Sequence, residues 1–145
     1  MPSTDSAELK RQLRTAEFEI YRSSAGRVLL AERVRDNLIM DSGVSAESQN
    51  GALSVRVVVR AQASHYPGAE ESQIWQHARD LAKTFIDLDY AEEGTHSEPV
   101  PDPSDPSRSL DTCYEVRLNR KVSDLPALFD ELRAALSRQR STSQD

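Results

Sequence analysis

Arg56, Arg60 and Arg117 are the residues in this chain best suited to hold an anion, because a guanidinium presents a rigid fork of donors to a carboxylate or phosphate. Arg56 and Arg60 lie in LSVRVVVRAQAS, where Val55, Val57, Val59 and Ala61 alternate with Arg56, Val58, Arg60 and Gln62. Arg117 lies in TCYEVRLNR, where Tyr114, Val116 and Leu118 alternate with Cys113, Glu115, Arg117 and Asn119. Both runs have the period-two pattern of a strand with one buried face. If the strands share a sheet, its open face carries Arg56, Arg60, Cys113, Glu115, Arg117 and Asn119. Such a face suits a polar or anionic ligand, or it is a solvated surface of cross-strand Arg/Glu pairs. Reading RNA there would need stacking aromatics, and neither strand places one on that side.

His65 and Tyr66 sit where the first of these strands hands over to a helix, a common position for a proton-transferring histidine or a ligand-orienting tyrosine. An anion at that helix start is disfavoured by Glu70 and Glu71, whose carboxylates already complement the dipole. The three histidines, His65, His77 and His96, lack the short spacing of a metal site, and neither a metal nor any cofactor is expected. Cys113 is the only cysteine, so an intrachain disulfide is excluded. As a nucleophile it would need a neighbouring cation such as Arg56, Arg60 or His65 to lower its pKa, and an inert small side chain is the simpler account. The chain has no phosphate-binding glycine loop, no Gly-x-Ser-x-Gly elbow and no His-Glu-x-x-His. A non-enzymatic role is favoured over catalysis.

The elements that position these groups are read from periodicity. Leu9, Leu13, Ala16 and Ile20 recur at helical spacing after Ser6, although Phe18 and Ile20 also alternate as in a short strand. SSAGRVLLAERVRDNLIMDSG places Val28, Ala31, Val34 or Arg35, and Leu38 on one side and ends near Gly43, which predicts a second helix. VSAESQNGA reads as a loop closed by the turn dipeptide Asn50-Gly51. EESQIWQHARDLAKTFIDLDY has Ile74, Ala78, Leu81, Phe85 and Leu88 on one stripe, the clearest helix of the chain. A last helix follows Ser123, tolerates Pro126 in its first turn, and carries Leu125, Leu128, Phe129, Leu132 and Leu136.

These patterns predict an α+β fold: a small antiparallel or mixed sheet of two to four strands, packed mainly on one face by about three helices. A further strand is allowed near Tyr90 to Glu98. Residues 9–137 form one domain between flexible tails at 1–8 and 138–145, and a proline-rich loop spans 98–109. In that loop Pro103, Pro106 and Arg108 give the PxxPxR spacing that resembles a ligand of Src-homology-3 domains. Stiffening of an exposed connection is the first account of the prolines, and docking the second.

The formal net charge of −6 repels nucleic acid and anionic membrane, and the longest unbroken apolar run, Val28 to Ala31, is far too short for a membrane span. With no signal-peptide pattern at the start, a cytoplasmic protein is expected. Leu29, Leu30, Leu38, Ile39 and Met40 exceed what one narrow helical stripe can bury. Self-association through that apolar surface, or capture of another protein there or at Pro103 and Pro106, is the functional expectation. The alternative is a small-molecule binder or enzyme using Arg56, Arg60, His65, Tyr66 and Arg117.

Overall fold

The computed structural model describes the backbone of residues 5–24, 26–35 and 38–143. Among these residues three helices, α1 (Asp5–Thr15), α2 (Glu71–Ile86) and α3 (Leu125–Ser143), accompany six strands. The strands are β1 (Ile20–Ser24), β2 (Arg27–Arg35), β3 (Leu38–Gln49), β4 (Ala52–Gln62), β5 (Ala91–Asp102) and β6 (Asp105–Val122). They form one antiparallel sheet in the order β1-β2-β3-β4-β6-β5. The expected two-to-four-strand sheet is thus corrected to six strands. The chain divides into two compact units, Met1–Val57 with Asn119–Asp145, and Val58–Leu118.

In the first unit, β2, β3 and β4 pair so that Val28 stands opposite Ala46, Ala46 opposite Val55, and Val44 opposite Val57. All five side chains are fully buried. α1 packs on β1, β2 and β3, and α3 packs on β3, contributing Leu9, Leu13, Leu128, Leu132 and Ala135 to the core. Phe18 closes it, its ring 5.9 Å from that of Phe129 and under the Arg133 guanidinium at 5.0 Å. α1 ends at Thr15 in a Schellman arrangement, with Glu17 N–H bonded to Arg14 O, Phe18 N–H to Leu13 O, and Glu17 at φ 71°. The helix therefore stops before Ile20, and the strand pattern prevails from there. α3 is capped by Asp124, whose Oδ1 accepts the Ala127 N–H at 2.9 Å, one residue later than the Ser123 cap expected.

The largest local correction concerns Ser23 to Gly43, expected as a helix and found, among its described residues, as the end of β1, all of β2 and the start of β3. Register breaks between Leu29 and Ala31 and between Arg33 and Arg35 explain the misreading. The second break sets two steps of β2 against one of β3 and shifts the alternation there, and Val28, Ala31 and Leu38 recur at intervals that imitate a helix. Gly43 has φ 82°, but the left-handed residue belongs to a bulge and not to a helix end. Its N–H donates to Asp41 Oδ1, while Ser42 Oγ donates to Leu30 O and accepts the Val44 N–H. Gln139 of α3 reaches Ser42 O at 3.3 Å. Asn50 and Gly51, both at positive φ, make the two-residue turn from β3 to β4, so the expected loop before them is strand.

In the second unit, α2 buries Ile74, Ala78, Ala82 and Phe85, and Trp75 meets the ring of Tyr114 edge-on at 5.0 Å. Glu70 and Gln73 form a reciprocal capping box at its start. Its end repeats the device of α1: Asp89, at φ 73°, donates to Ile86 O, Tyr90 donates to Phe85 O, and the rings of Phe85 and Tyr90 touch at 5.3 Å. The proline-rich segment is not a loop. Pro99 and Pro101 lie in β5, Pro103 and Ser104 make the turn, and Pro106 opens β6. Backbone pairing in this hairpin is incompatible with the polyproline helix that a Src-homology-3 groove accepts. Of the segments expected as tails, 1–4 and 144–145 lie outside the described residues, while 5–8 and 138–143 belong to α1 and α3.

Candidate functional site

The open sheet face carries arginines that are shared with carboxylates. In the first unit Glu47 Oε2 meets Arg56 Nη1 at 2.9 Å and Arg27 Nη2 at 3.5 Å. Register explains this, since Glu47 stands opposite both Arg27 and Ser54, next to Arg56. In the second unit Glu115 meets Arg60 Nε at 2.8 Å and Arg117 Nη2 at 3.3 Å. Partial burial pushes the Glu115 carboxyl up, but the hydrogen bond and charge of Arg60, helped by Arg117, hold it below its ordinary range. Each carboxylate thus neutralises one of its two arginines and restrains the other, leaving a solvated face of cross-strand pairs.

Cys113 lies half-buried on the same face. Burial pushes its thiol up, the Glu115 carboxylate pushes it further, and Arg60 offsets only part. A thiol raised in this way is the protonated, poorly nucleophilic form at neutral pH.

His65 and Tyr66 are placed by a single 3-10 turn at Ala63–His65. Ser64 anchors it, donating from N–H at 2.8 Å and from Oγ at 2.6 Å to the Asp111 carboxylate. The Ser64 hydroxyl is the main reason that this carboxyl lies below its usual range. His65 is exposed, whereas Tyr66 stacks on His77 with ring centroids 4.2 Å apart and planes 11° apart. With Pro67, Gly68, Ala69, Gln73 and Gln76 these two rings line a shallow depression. The sequence offered no sign of the stack, because it depends on the angle at which the turn enters α2. Among the described residues no group of three or more His, Cys, Asp or Glu is arranged to hold a metal.

The apolar candidates separate. Leu30 is fully buried in the first unit's core and Leu29 is half-buried, whereas Leu38, Ile39 and Met40 are 45%, 39% and 52% exposed. The side chain of Val34 lies outside the described residues. Leu38, Ile39 and Met40 open β3 opposite Arg35, Arg33 and Glu32 of β2, so they occupy both faces of a hairpin end. Pro103 and Pro106 are exposed at the tip of the β5–β6 hairpin.

Among the described residues no helix is long and apolar enough to cross a membrane. Comparison of the chain with protein-family models, with curated proteins and with solved structures finds no match.

Proposed function

We propose that this chain is a non-enzymatic interaction subunit that self-associates through the end of the β2–β3 hairpin. The observation that carries the reading is the run Leu38-Ile39-Met40, three consecutive large apolar side chains in solvent. The surrounding ladder positions bear both signs of charge, Glu32 and Arg35 opposite Met40 and Leu38 on one face and Arg33 opposite Ile39 on the other. A patch that contains both signs can be complementary to itself across a two-fold axis, the arrangement of most homodimers. The pairing of Arg56 with Glu47 and of Arg60 and Arg117 with Glu115 supports this reading over an anion-binding one.

The test is mass against concentration by light scattering, on the native chain and on a Leu38→Ser/Met40→Ser variant. The native chain is expected to rise from monomer toward dimer mass through the micromolar range, and the variant to remain monomeric with an unchanged far-ultraviolet spectrum. A native chain that stays monomeric at the highest soluble concentration would end the proposal.

A further inference from the structure

Among the described residues β5 is an outer strand of the sheet, with β6 on one side and no strand on the other. From Ala91 to Leu110, through the whole of β5 and the first part of β6, no residue is buried, and Val100 and Leu110 are 37% and 62% exposed. This ribbon of β5 and the start of β6 packs no side chain away from water, and β6 buries residues only from Tyr114 on. Along an outer strand, alternate N–H and C=O groups point away from the sheet and are available to an added strand.

Charge decides what kind of strand would fit. Residues 91–110 hold five carboxylates, Glu92, Glu93, Glu98, Asp102 and Asp105, against one arginine, Arg108. The imbalance extends through Val58–Leu118, which has five basic and twelve acidic residues, a formal charge of −7. Two such ribbons laid edge to edge would set carboxylates against carboxylates, and a phosphate backbone would be repelled. Pro99 and Pro101 have no N–H, which confines regular pairing to the proline-free part of the strand. Arg79 of α2 ties the start of that part down through Glu92 at 3.2 Å.

We infer that the outer edge of β5, from Ala91 to Glu98, takes up an extended basic segment of another protein as an additional strand. Main-chain hydrogen bonds supply the attachment, and the surrounding carboxylates select lysine and arginine. This surface is distinct from the Leu38–Met40 patch, and either can fail without the other.

The experiment measures fluorescence anisotropy of a labelled ten-residue peptide alternating valine with lysine and arginine, titrated with the full chain. Two companion peptides carry glutamate in place of the basic residues, or N-methyl groups on alternate backbone nitrogens. The basic peptide should bind, and its affinity should fall about tenfold between about 0.05 and 0.3 M salt and by a similar factor in Glu98→Lys. The acidic and N-methylated peptides should not bind measurably. Equal binding of the N-methylated peptide would show attraction without strand addition and overturn the inference. So would no binding of the basic peptide at millimolar chain, or a native dimer that dissociates on Glu98→Lys, which would assign the edge to a second copy. Using the Leu38→Ser/Met40→Ser chain in parallel keeps self-association out of the signal.

Discussion

The two compact units use similar parts to different ends. Each has a helix closed by a Schellman turn with an acidic residue in the left-handed position, and each has a carboxylate shared by two arginines. The first unit, with thirteen basic and twelve acidic residues, is nearly neutral and exposes its apolar surface at one hairpin end. The second carries −7 and extends a hairpin whose residues 91–110 bury nothing. The units resemble each other in parts and differ in surface, and on the proposed reading one surface takes up its own kind and the other a basic chain.

The largest effect expected from breaking this comparison lies in the core against the ribbon. Phe85→Ala should cost about 3–5 kcal/mol in denaturant unfolding, whereas Leu110→Ala should change stability by less than about 0.5 kcal/mol. A ribbon substitution as costly as the core one would mean that the hairpin is packed after all.

Glycines give the next contrast. A Cβ at Gly26 would lie 2.8 Å from Ser48 O with φ at 82°, while one at Gly94 in β5 would meet nothing within 4 Å. Gly26→Ala should therefore lose about 2 kcal/mol or more, and Gly94→Ala should be near neutral or slightly stabilising. Thermal melts of the two variants check this directly.

Sequence and structure agree where a segment's local pattern survives folding. Ile74, Ala78 and Phe85 keep their helical stripe in α2, and Val55, Val57 and Val59 keep the alternation of β4. The misread region, Ser23 to Gly43, fails because the bulge near Val34 breaks the alternation, and because a left-handed glycine suits a bulge as well as a helix end. The β5–β6 hairpin was hidden by Pro99, Pro101 and Pro106, residues that a central strand excludes but an outer strand or hairpin tip tolerates. At the candidate site, the polar face and its arginines were legible. Glu47 as the partner of Arg27 and Arg56 was not, because its segment read as a loop.

A smaller effect depends on pH and on the carboxylate shared in the second unit. The folded pKa of Glu115 is depressed, so the stability it contributes is present above its ordinary value and is lost as pH falls through the folded value. Glu115→Gln should remove that acid-side slope, with a difference of no more than about 1 kcal/mol at neutral pH, since the Arg60 partner is well exposed. Unfolding free energies measured across the acid range for both chains would show it, and parallel curves would exclude it.

The smallest effect tests the likeness of the units. Glu17→Gly and Asp89→Gly each relieve a left-handed side-chain residue, and each should stabilise by about 0.5 kcal/mol after the entropic cost of glycine. Unequal responses in chemical denaturation would show that the two helix ends are not equivalent.

The division of roles is tested most directly by intermolecular distances between spin labels in a Cys113→Ser background. One label is placed at Arg35→Cys beside the Leu38–Met40 patch, and another, in a separate chain, at Ser107→Cys on the ribbon. At concentrations that give dimer, the label at 35 should show a short distance between copies and the label at 107 should show none. A short distance at 107 with none at 35 would contradict the account, placing self-association on the acidic hairpin.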